Sequence, residues 1–133
     1  MARIMIVDDE PTIRELFSYV FLDAGHEVVM AENGRRALEL LGAALPDFML
    51  LDVMMPEMTG KDFIEELARL ARTNPALDRI PFIVMTGENF LEGDLNNAFA
   101  GRPGFVGYVP KMVVPETVVA QANEAIKTWS ARK

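Results

Sequence analysis

Three acids stand in a row at Asp8, Asp9 and Glu10, directly after the apolar run Ile4–Val7. Asp52 ends another apolar run, Thr86 follows a third, and Lys111 stands shortly after a fourth. Like charge collected at the end of a buried segment works against folding. Two carboxylates 4 Å apart repel by roughly 4 kcal/mol at an effective dielectric near 20. Either the acids protonate or a cation neutralises them. Mg²⁺ suits such a group, because it takes one or two carboxylates, keeps several waters and binds beside phosphate oxygens. The other residues fit phosphoryl chemistry. A carboxylate can attack a phosphoryl group and form an acyl phosphate. A lysine and short hydrogen-bond donors then meet the charge on the transferring oxygens. Asp52, Lys111 and Thr86 can supply those three roles.

Those residues must be brought together by the elements that carry them. Five short apolar runs recur, "RIMIV" at 3–7, "EVVMA" at 27–31, "FMLLD" at 48–52, "PFIVM" at 81–85 and "FVGYV" at 105–109. Several are apolar at nearly every position, as strands covered on both faces are. Helical patterns lie between them. Ile13, Leu16, Phe17, Val20, Phe21 and Ala24 form one apolar stripe. Leu38, Leu41 and Leu45 belong to a second helix after the N-cap Asn33. Phe63, Ile64, Leu67, Leu70 and Ala71 form a third, introduced by Thr59 and Gly60. Val119, Ala122, Ile126 and Trp129 form the last, with Pro115 near its first turn. The stretch "ENFLEGDLNNAFAGRPGF" is poor in helix formers and predicts a short helix around Leu91–Ala100, then an irregular loop. Strand and helix alternate five times, which predicts an α/β fold: a doubly wound parallel sheet with helices on both faces. Ligands bind such sheets beyond the carboxyl ends of the strands, where the strand order reverses. Every residue singled out above stands at such an end.

The totals narrow the function further. A chain of 133 residues, 50% hydrophobic, suits one domain, expected to span 1–133. A net charge of −7 argues against nucleic-acid binding and against an anionic membrane surface. No cysteine is present, so disulfides and thiolate metal sites are excluded. Neither a signal-peptide pattern nor an apolar run of bilayer length occurs, and the expected location is cytoplasmic.

"IVDDEPTIRELF", "LLDVMMPEMTG", "VMTG" and "GYVPK" together resemble the receiver domain of two-component response regulators, the CheY-like fold. The likeness runs from about Arg3 to Trp129 and is specific in combination. It implies a flavodoxin-like three-layer sandwich with strand order 2-1-3-4-5. It implies that Asp52 is the phosphoacceptor, served by a histidine kinase or phosphotransfer protein. Mg²⁺ would be bound by Asp9, Asp52 and the backbone carbonyl of Met54, with Asp8 acting through water. Thr86 and Lys111 would each bond a phosphoryl oxygen. Tyr108 matches the aromatic position that follows the threonine's movement and alters the surface of the fourth predicted helix, fifth strand and last helix. Met54 and Glu88 occupy the positions that tune the phosphoryl lifetime. Such a protein is a signalling domain, not an enzyme, beyond self-catalysed phosphoryl transfer and autodephosphorylation. It acts on a downstream protein target or on an output domain outside this sequence.

The chain departs from the family pattern in two places. Receivers usually carry proline after the lysine, in a cis bond, whereas here Pro110 precedes Lys111 and Met112 follows it. Val109–Pro110 is then the candidate for a cis bond. The glycine-rich stretch from Glu88 to Gly107 is also a few residues longer than usual. Plainer readings stand beside the sharp ones. Asp8 or Asp9 could cap the first helix, Thr86 could be a turn residue, Tyr108 an ordinary strand aromatic and Lys111 a solvated lysine. His26 reads as structural, and Met54, Met55, Met58 and Met112 form either a soft binding rim or gap fillers. A pseudo-receiver that binds partners without phosphorylation is the alternative function, supported by the displaced proline. An aspartyl phosphatase would need a second acid two residues beyond Asp52, where Met54 stands.

Overall fold

The computed structural model describes residues 2–53, 58–86, 99, 101–110 and 113–130. Five strands, β1 (Arg3–Val7), β2 (Glu27–Ala31), β3 (Phe48–Asp52), β4 (Phe82–Thr86) and β5 (Phe105–Pro110), form one parallel sheet in the order β2-β1-β3-β4-β5. The described helices are α1 (Pro11–Asp23), α2 (Gly34–Ala43), α3 (Gly60–Leu70) and α4 (Pro115–Ser130), with a 3₁₀ turn at Pro75–Arg79. The helix expected around Leu91–Ala100 lies outside the described residues except for Phe99, which is helical and fully buried.

Apolar continuity explains the sheet order. Every residue of β3 and β4 is buried, and β1 is buried from Ile4 onward, so these strands occupy the middle. The less buried β2 and β5 take the edges. Alternation along the central strands divides the core. Met5, Val7, Met49, Leu51 and Val84 face α2 and α3, where they meet Ala37, Leu41, Phe63 and Leu67. Ile4, Ile6, Leu50, Ile83 and Met85 face α1 and α4, where they meet Phe17, Phe21, Val118 and Ala122. Two apolar layers therefore lock the sheet between helices on both sides. No helix among the described residues is long and apolar enough to cross a membrane.

Helix starts obey their sequence signals. The Asn33 side chain accepts from Arg36 N at 2.8 Å, and Pro115 opens α4. Three expectations need correction. Leu45 is not in α2, which stops at Ala43; Pro46 disfavours helical backbone at the residue before it. Neither Asp8 nor Asp9 caps α1, whose N-cap is Glu10 with no side-chain cap bond. Asp8 Oδ1 instead accepts from Glu10 N at 2.9 Å, a local turn ahead of the helix. Finally, the described residues contain no cis peptide, so Val109–Pro110 is trans. Pro110 ends β5 opposite Thr86, on an edge strand, where a missing N–H is tolerated.

Candidate functional site

The strand order reverses between β1 and β3, and both strands end in acid. Val7 pairs with Leu51, and one residue further along lie Asp8 and Asp52. Both are fully buried. Parallel neighbours are about 4.8 Å apart, so the two residues end adjacent strands on one rim of the sheet. Asp8 is fixed at both ends of its backbone. Its N–H donates to Ala31 O at 3.1 Å, and its carbonyl accepts from the Arg14 guanidinium at 2.7 Å. Asp9 and Glu10 come next on the exposed side, and one carboxylate oxygen from each of Asp8, Asp9 and Glu10 lies within 4.8 Å of the others.

Backbone bonds on the carboxyl side of Asp52 hold it in place. Val53 N donates to Met85 O at 3.2 Å, and Gly60 N donates to Val53 O at 2.9 Å. The start of α3 is thereby drawn onto the strand end. A Cβ at residue 60 would lie 2.6 Å from Asp52 O and 3.0 Å from Val53 Cα, so only glycine permits this approach. A capping box fixes the helix there. Asp62 N donates to Thr59 Oγ1 at 3.1 Å and Thr59 N to Asp62 Oδ2 at 3.3 Å.

Thr86 is the last residue of β4, one beyond the Asp52↔Met85 pair, and is buried. Tyr108 pairs with Val84 on β5, two residues before Pro110 meets Thr86. Its ring lies against the α3-side core, and burial pushes its phenol above the ordinary tyrosine value. The fold thus gathers Asp8, Asp9, Asp52 and Thr86 along one rim. Lys111, Met54 and Glu88 lie outside the described residues, as do Met55 and Met112.

Glu10, grouped with Asp8 and Asp9 in the sequence, belongs to the oxygen cluster. Sequence reading overlooked one participant. Gly60 sets the spacing behind Asp52, a role invisible until the helix is docked. Of the methionines, Met58 is partly buried and packs on the α3-side core, a gap filler and not a rim. His26 is structural: its Nδ1 accepts from Ala2 N at 3.1 Å, and its Nε2 lies 2.7 Å from Asn123 Oδ1.

A buried carboxylate pair at the switch point of a 2-1-3-4-5 sheet is the arrangement expected of receivers. The response regulator receiver domain matches this sequence over residues 4–123. The chain belongs to that family. Protein PilH of Pseudomonas aeruginosa is 32% identical over 126 residues, covering 95% of this receiver and 98% of PilH. Response regulator SaeR of Staphylococcus aureus is also 32% identical, and the match covers 95% of this chain but 51% of SaeR. The receiver thus spans about half the length of that relative. Chemotaxis protein CheY4 of Vibrio cholerae superposes with a TM-score of 0.79 at 30% identity, over 94% of this chain and 98% of CheY4. A CheY-like receiver from Methanospirillum hungatei gives a TM-score of 0.82 at 23% identity, over 97% of both chains, a likeness of fold.

The receiver's donor set fits a hard divalent cation. The clustered groups of Asp8, Asp9 and Glu10 are all carboxylate oxygens, the hard ligands Mg²⁺ takes, and Asp52 is buried at the neighbouring strand end.

Proposed function

We propose that this receiver is a phosphorylation-controlled switch in two-component signalling, with Asp52 as the acceptor. The observation that carries the reading is the buried pair Asp8 and Asp52 at adjacent strand ends. A histidine kinase or phosphotransfer protein would be the donor. An Asp52 carboxylate oxygen attacks the phosphorus of a phosphohistidine, forming an O–P bond. The P–N bond breaks and its electron pair returns to the imidazole. Mg²⁺ would be held by Asp9, Asp52 and the Met54 carbonyl, with Asp8 acting through water. When bound, it offsets charge on the phosphoryl oxygens. Thr86 donates its hydroxyl to one of those oxygens and Lys111 pairs with another. Met54 and Glu88 flank the group and govern how long it persists.

Phosphorylation then shifts a conformational equilibrium, because one state binds the phosphoryl group better. Thr86 moves toward the phosphate, and Tyr108 moves with it. The surface of the predicted fourth helix, β5 and α4 changes, and a target protein or output domain reads the change. The receiver itself works in the cytoplasm, contacts no nucleic acid directly and turns over no substrate of its own.

Intact mass after incubation with acetyl phosphate, with and without Mg²⁺, tests this. Wild type should gain one phosphoryl group only with Mg²⁺, and Asp52→Asn should gain none. A folded wild type that stays unmodified would establish the pseudo-receiver reading instead, for which the order Pro110–Lys111 is the specific support.

A further inference from the structure

Tyr108 stands inside an aromatic run that a defect in β5 creates. The register pairs Phe82 with Phe105 but Ile83 with Gly107, so Val106 is an extra residue, a bulge. In a regular strand, residues three apart point to opposite faces. The bulge resets the phase and turns Phe105 to the side that Tyr108 occupies. Their ring centroids lie 4.9 Å apart at 60°. Phe99 meets the Tyr108 ring edge-on, at 6.3 Å and 85°. Phe105 in turn rests on Phe82 at 5.9 Å.

Both flanking rings are anchored. Phe99 is fully buried, and its carbonyl accepts from Arg102 N at 3.0 Å. The Arg102 guanidinium pairs with Asp78 in the 3₁₀ turn. Gly104 passes so close to Ile80 O that a Cβ would lie 2.1 Å from it, and Gly104 O accepts from Phe82 N at 2.8 Å. Tyr108 therefore lies between two rings carried on tied backbone. It also lines a groove of about 570 Å³ between β5 and α4, whose other wall includes Gln121, Glu124 and Trp129.

We propose that Phe105 and Phe99 are positioning residues that hold Tyr108 in the orientation seen here, which the proposal assigns to the unphosphorylated state, with the Val106 bulge aiming Phe105 at it. The proposal rests on the reading of Thr86 and Tyr108 as the switch. Moving Tyr108 breaks two edge-on ring contacts, and the phosphorylated state must supply that energy. Weakening one contact moves the resting equilibrium toward the active side and tightens binding of a phosphoryl mimic by the same factor.

The test is ¹⁹F NMR of 3-fluorotyrosine protein carrying Tyr19→Phe, which leaves Tyr108 as the sole tyrosine. Spectra are taken with Mg²⁺, and with Mg²⁺ plus beryllofluoride. Phe105→Leu should shift the Tyr108 signal before any beryllofluoride is added, and should bind beryllofluoride about threefold to tenfold more tightly. Phe105→Trp keeps an aromatic ring without adding a second tyrosine and should leave beryllofluoride affinity unchanged, whereas a role in filling volume would be met by leucine. Phe99→Leu supplies the second arm. A Phe105→Leu protein with an unshifted resting signal, or with unchanged beryllofluoride affinity, overturns the proposal. Wild type that binds beryllofluoride without moving its Tyr108 signal overturns the switch reading and the proposal together. The two failures are distinct, since the first leaves the wild-type response intact.

Discussion

The two halves of the strand rim are built on opposite principles. On the β1–β3 side, Asp8 and Asp52 end strands in regular register, and the backbone around each is tied down. Gly60 and the Thr59–Asp62 capping box press α3 directly against the Asp52 carbonyl. On the β4–β5 side the register slips at Val106, and alignment depends on ring contacts and one ion pair. Phosphoryl transfer needs acids held to fractions of an ångström. A switch needs an element with two arrangements of similar energy. On the proposed function, hydrogen-bonded backbone would serve the first need, and edge-on aromatic contacts of modest strength the second.

Breaking the rigid half should cost most. In Gly60→Ala the new methyl collides with the Asp52–Val53 backbone, which has no flexible end to yield. Overpacking of this kind costs about 2–3 kcal/mol. Urea unfolding should show that loss, and intact mass should show little phosphorylation even where the variant is folded. Normal phosphorylation in folded Gly60→Ala would mean that α3 docking does not set the acceptor's position. The other half should respond differently. Asp78→Ala leaves the partly buried Arg102 guanidinium without its carboxylate, a loss of about 1–2 kcal/mol. Phosphorylation of Asp52 should persist, because none of the transfer groups is touched. If Asp78→Ala abolished phosphoryl uptake while folded, the two halves would not be separable as described.

Strand placement was legible in both halves, and the acids in the rigid one. Continuous apolar runs marked β1, β3 and β4 to within one residue, and Asn33, Thr59 and Pro115 marked helix starts through local bonding rules that need no tertiary context. The acidic ends of β1 and β3 were visible because charge after an apolar run is conspicuous. What escaped depended on distant contact. Leu45 continued the helical spacing, but Pro46 ended the helix first. Gly60 looked like a helix-start glycine until the Asp52 carbonyl was found against it. "FVGYV" is apolar almost throughout, so nothing in it fixed which residues share a face, and the bulge at Val106 stayed hidden. Phe99 sat in a stretch of poor helix formers and gave no sign of being a core residue.

The smallest effect expected distinguishes the halves without a core mutation. Burial in the aromatic run raises the Tyr108 phenol above its ordinary value, because the phenolate is the charged form that burial disfavours. The unfolded chain should ionise this tyrosine near pH 10. A raised value in the folded chain means that the contribution is fully present below that pH. It is lost as pH rises through the folded value. Ultraviolet titration of the Tyr19→Phe protein should therefore show a midpoint displaced upward, returning to the ordinary value in urea. A midpoint indifferent to urea would place Tyr108 in solvent in the folded chain, and the β4–β5 half would then not be the adjustable one.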